Sequence, residues 1–121
     1  MLDQKRNIRT QTVMTNQEII QATATYVQGA LAGNESGHNW FHIERVWRNA
    51  KLIAASEPVD LLVIELAALL HDIADAKFHG GDENIGPETA KKFLTTLPVD
   101  GATAEHVVNI VAHISLSLIH I

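Results

Sequence analysis

The sequence predicts an all-α protein, a helical bundle of about five helices with its C-terminal part missing. Three observations carry that expectation. Apolar residues recur at three- and four-residue spacing in successive stretches, no stretch alternates with the period of two that a half-buried strand requires, and one segment is apolar on nearly every side. A helix without a polar face belongs at the centre of a bundle.

Residues 1–14 are polar and aperiodic and read as a flexible leader, so the domain is expected over residues 15–121. Thr15-Asn16-Gln17-Glu18 has the form of a capping box, and Ile20, Ala24, Val27 and Leu31 then follow on one side of a first helix as far as Gly33-Asn34. A second helix is expected from about Asn39 to Ser56, with Phe41, Ile43, Val46, Trp47, Ala50, Ile53 and Ala54 on a broad inward face. Pro58 ends it, because a proline disfavours helical geometry in the residue before it.

Asp60 is a suitable cap for the third helix, expected from about Leu61 to Ala74 and apolar nearly all round. Residues 77–86 form a glycine-containing loop. Gly86-Pro87-Glu88 opens a fourth helix, with proline tolerated in its first turn and Ala90, Phe93, Leu94 and Leu97 on the apolar side. After the turn Pro98-Val99-Asp100-Gly101, a fifth helix from about Ala102 to Ile114 directs Val107, Val108, Ile110, Val111 and Ile114 inward.

The chain has 121 residues, 46% of them hydrophobic and 19% charged, which suits one compact domain. A formal charge of −5 and a pI near 5.7 disfavour binding to duplex nucleic acid or to an anionic membrane surface. There is no cysteine, hence neither a disulfide framework nor a thiolate metal site. No stretch reaches the ~18 apolar residues of a membrane span. The expected setting is the cytoplasm.

The chemistry concentrates where the apolar helix ends, at Leu69-Leu70-His71-Asp72-Ile73-Ala74-Asp75. An imidazole beside a carboxylate suits a borderline or hard divalent ion such as Mn, Fe, Zn or Mg. Asp75 falls one turn further on the same flank. Upstream, Gly37-His38-Asn39-Trp40-Phe41-His42-Ile43-Glu44-Arg45-Val46 places His38 and His42 one turn apart on one helix face.

The ordered set Gly37-His38-Asn39-Trp40-x-His42-Ile43-x-Arg45-Val46, Leu66-Ala67-Ala68-Leu69-Leu70-His71-Asp72-Ile73-x-Asp75 and Ile114-Ser115 resembles the HD-domain superfamily of metal-dependent phosphohydrolases, in particular its small bacterial nucleotide pyrophosphatases. The resemblance spans roughly residues 15–117. It implies a divalent metal ion (Mn, Mg, Fe or similar) held by His42, His71 and Asp72. It also implies Asp75 at the attacking water or substrate, with His38 on the substrate side. Lys77, His79 and Arg45 are candidates to neutralise phosphate charge, and Lys77 is also a candidate catalytic group.

The substrate expected is a small-molecule nucleotide or phosphate ester. The family's fourth ligand, an Asp on a later helix, has no counterpart before Ile121, and the largely apolar residues 116–121 suggest a core cut short, one that a homodimer would cover.

Plainer readings stand beside these. His71 can complement the helix dipole, His42 can be a hydrogen-bonded core histidine, Asp75 a surface carboxylate, and Arg45, Lys77 and His79 solvated or salt-bridged. His113, on the fifth helix, reads more simply as a core histidine than as a site residue, and Trp40 and Trp47 as packing residues. Three functions remain open: a phosphohydrolase, a catalytically silent domain that binds nucleotide or metal, and a structural fragment.

Overall fold

A computed structural model describes residues 13–32, 40–73 and 85–119. Most of the leader, and the loop after Ile73 with its predicted residues, lie outside the described residues. Within them are five helices and no strand: α1 (Asn16–Ala30), α2 (Trp40–Ala55), α3 (Leu61–Leu70), α4 (Ile85–Leu94) and α5 (Gly101–Ile119).

The helix starts follow the local chemistry. Thr15 Oγ1 accepts from the Glu18 backbone N–H at 3.1 Å, and the Thr15 N–H donates to Glu18 Oε1 at 2.9 Å, completing the capping box of α1. Asp60 Oδ1 accepts from the backbone N–H groups of Leu62 and Val63, at 3.1 and 3.4 Å, which caps α3.

The core forms around α3, which contacts α1, α2 and α5, while α4 packs on α5. Leu66, Leu69 and Leu70 of α3 are fully buried, with Val27 of α1, Ile43 of α2, Leu94 of α4 and Val107 and Val111 of α5. Burying a side chain of this size contributes about 1.5–3 kcal/mol by transfer from water. Tyr26 and Phe93 stack at 4.1 Å between ring centroids and tie α1 to α4.

Three expectations need correction. The inward face of α2 is narrower than expected: Ile43 and Ala54 are buried and Val46, Trp47 and Ala50 half-buried, whereas Phe41 is 73% exposed and Ile53 67%. Ile43 and Ala54, eleven residues apart, return to nearly the same direction on a helix, but Phe41 and Ile53 lie roughly 80–160° away from that line. Among the described elements α2 packs chiefly on α3, so the side that carries Ile43, Trp47, Ala50 and Ala54 is the one it covers. The third helix also ends earlier than expected, at Leu70, with His71 as its C-cap, and the fifth continues to Ile119 instead of ending near Ile114.

Candidate metal centre

The early end of α3 shapes the site. His71 remains in right-handed helical geometry at the cap, φ −61° and ψ −26°, and residues 71–73 continue as a turn in which the Ile73 N–H donates to the Leu70 carbonyl at 3.2 Å. His71 and Asp72 therefore keep a helix-like separation in direction while standing at the exit of the most buried helix. The neighbouring Leu70 and Ile73 are buried and anchor the turn to the core.

From the other side comes His42, the third residue of α2, whose successor Ile43 is fully buried. One ligand atom from each of His42, His71 and Asp72 lies within 4.8 Å of the other two. The imidazole rings of His42 and His71 stand 6.2 Å apart at 57°. His71 Nε2 is 3.8 Å from Asp72 Oδ2, too far for a hydrogen bond, and the two side chains are only 11% and 10% exposed.

The tautomer of His71 follows from its partner. Its Nδ1 lies 2.6 Å from the carbonyl oxygen of Ala68, and a carbonyl can only accept, so Nδ1 carries the hydrogen and donates it. In the neutral ring Nε2 then keeps its lone pair, on the side where Asp72 Oδ2 lies. A hydrogen bond of this kind on the remote nitrogen is how metal-binding histidines are oriented. It also serves the helix dipole, so the plainer reading of His71 and the ligand reading describe one arrangement.

The donor set suits a divalent cation. Bonds of ~2.1 Å to nitrogen and oxygen place neighbouring ligand atoms about 3–3.4 Å apart. The three donors are within an ångström or two of that spacing, a distance side-chain rotation covers.

Of the other predicted residues, Arg45 is exposed on α2, one turn beyond His42. His38, Asp75, Lys77 and His79 lie outside the described residues. His113 is exposed, with Nδ1 donating to the Asn109 carbonyl of its own helix at 2.8 Å, so it is not the core histidine that the sequence suggested. Sequence reasoning missed a polar pair: Glu65, buried on α3, accepts from the indole N–H of Trp47 at 2.8 Å. The signal was present, since Glu65 is the one charged residue in the run from Leu61 to Leu70.

Comparison with known proteins adds to the geometry. A family model described as HD domain matches residues 39–118, a span that contains all three donors. The uncharacterized protein YpgQ of Bacillus subtilis (strain 168) is 45% identical over 53 residues, which cover 44% of this chain and 26% of the relative. The chain thus spans about a quarter of the length of that relative. No solved structure matches it with significance.

Proposed function

The chain belongs to the HD-domain family, and on that premise we propose that it is a metal-dependent phosphohydrolase acting on nucleotide phosphate ester or anhydride bonds. The observation that supports this most directly is the convergence of His42, His71 and Asp72 from two helices to within 4.8 Å. A bound divalent ion in such a site lowers the pKa of water and polarises a phosphoryl oxygen.

The chain's own residues supply the rest. His42, His71 and Asp72 would hold the ion, and the bond from His71 Nδ1 to the Ala68 carbonyl leaves Nε2 as the nitrogen free to bind it. Three protein ligands leave positions for water and substrate, as catalytic sites require. Asp75 accepts a proton from the attacking water, and His38 contacts the substrate side. Lys77, His79 and Arg45 offset the negative charge of the phosphate, Arg45 from an exposed position on α2. Among the described residues no helix is long and apolar enough to cross a membrane.

The test is elemental analysis of the purified chain and of His42→Ala, followed by a nucleotide hydrolysis screen with added Mn and Mg. Near-stoichiometric metal that the variant loses, together with release of phosphate or pyrophosphate, is the expected result. Metal without turnover would favour the silent binding domain. A folded protein with neither would refute the enzyme reading.

A further inference from the structure

At the other end of the α2–α3 pair from the metal centre lies a second polar site. His42 and His71 occupy the start of α2 and the end of α3, whereas a cavity of about 510 Å³ opens among the start of α1, the end of α2 and the start of α3. Glu65 lines this cavity and is 93% buried by its 7% exposure. It lies seven residues before Asp72, about 10 Å along a helix.

Glu65 is poorly satisfied for a buried carboxylate. Its Oε1 accepts from Trp47 Nε1 at 2.8 Å, and among the described residues no other hydrogen bond or ion pair reaches it. An ionised carboxylate accepts about four hydrogen bonds, and burying one with a single donor is unfavourable. The carboxylate can still accept from water or from N–H groups of a ligand that displaces it in the cavity.

The walls narrow the class of ligand. Ile20 and Leu61 are aliphatic and the indole of Trp47 is aromatic, while exposed Gln17 and Gln21 add amide groups to the lining, so the ligand that fits has a flat body and polar edges. Lys51 holds its ammonium 5.0 Å from the Trp47 ring centroid and also lines the cavity, which disfavours a second cation there. A neutral ring satisfies the carboxylate without adding positive charge beside Lys51.

We propose that the cavity bounded by Glu65, Trp47 and Lys51 binds a neutral planar nitrogen heterocycle through an edge carrying two adjacent N–H donors, the edge that guanine presents. Two parallel N–H donors match the two carboxylate oxygens, the geometry that makes such pairs strong, and reading a base by its hydrogen-bonding edge between apolar walls is a general mode of recognition. The site needs neither a phosphate nor a metal.

The experiment is equilibrium dialysis of the full chain with guanosine, inosine, adenosine and agmatine, in the presence of a chelator. Guanosine is expected to bind saturably. Inosine, which lacks the amino group, should bind roughly tenfold more weakly for the lost charge-assisted hydrogen bond, and adenosine, whose amino group adjoins an acceptor, should not bind.

Glu65→Gln keeps an acceptor for Trp47 but replaces one carboxylate oxygen with a donor, so it should weaken guanosine at least about tenfold with a melting temperature no lower than that of the unmodified chain. Leu61→Trp, which fills the cavity at a half-exposed position, should abolish binding while leaving Glu65 intact. His42→Ala should retain guanosine binding, which separates this site from the metal centre. Absence of guanosine binding, equal binding of adenosine, or undiminished binding in folded Glu65→Gln would overturn the proposal, and so would agmatine binding in place of guanosine.

Discussion

His71 does two tasks with its two nitrogens. Nδ1 donates to the Ala68 carbonyl in the last turn of α3, and Nε2 is thereby left to the space shared with His42 and Asp72. Asp72→Asn keeps the size of the third donor and removes its charge. It should lower metal affinity by more than the roughly 10–100-fold that loss of an outer-shell partner produces, as read by metal titration. Trp47→Phe tests the other polar pair: without the indole N–H, buried Glu65 loses its one described donor, and urea unfolding should show a loss of about 1–3 kcal/mol.

Among the helices, α3 is defined by its two ends. Asp60 caps its start, and His71 closes it with Asp72 following, so the helix is both the centre of the core and one side of the site. Asp60→Ala should destabilise the fold by about 1 kcal/mol. Because the substitution lies eleven residues before the nearest metal donor, metal affinity in the folded protein should stay unchanged, a contrast with Asp72→Asn that calorimetric titration can read. The helix α2 illustrates what periodicity leaves open. Its sequence holds enough apolar residues for a broad face, yet Leu52 and Ile53 are 73% and 67% exposed because one neighbouring helix covers one stripe.

For the whole molecule, core and site are coupled through that central helix. Leu69→Ala removes a fully buried side chain two residues before His71 and should cost about 2–5 kcal/mol of stability in urea unfolding. Conversely, a metal that binds only the folded chain stabilises it by mass action. At a free concentration about 100 times its Kd the gain is ~2.7 kcal/mol, read as a higher melting temperature that a chelator reverses and that His42→Ala does not show.

The sequence by itself determined the helical class, the caps at Thr15 and Asp60, the buried stripe of α1 and the donor pair at the end of α3. All of these depend on residues close together in the chain, where spacing and hydrogen-bonding chemistry are local. The family resemblance already set His42 with His71 and Asp72, and the tertiary structure brings the three together; it alone decided that α2 leaves Phe41 and Ile53 in solvent and that Glu65 finds the Trp47 indole. Each is a contact between helices, and its geometry is set by how two surfaces interlock rather than by the period of either one.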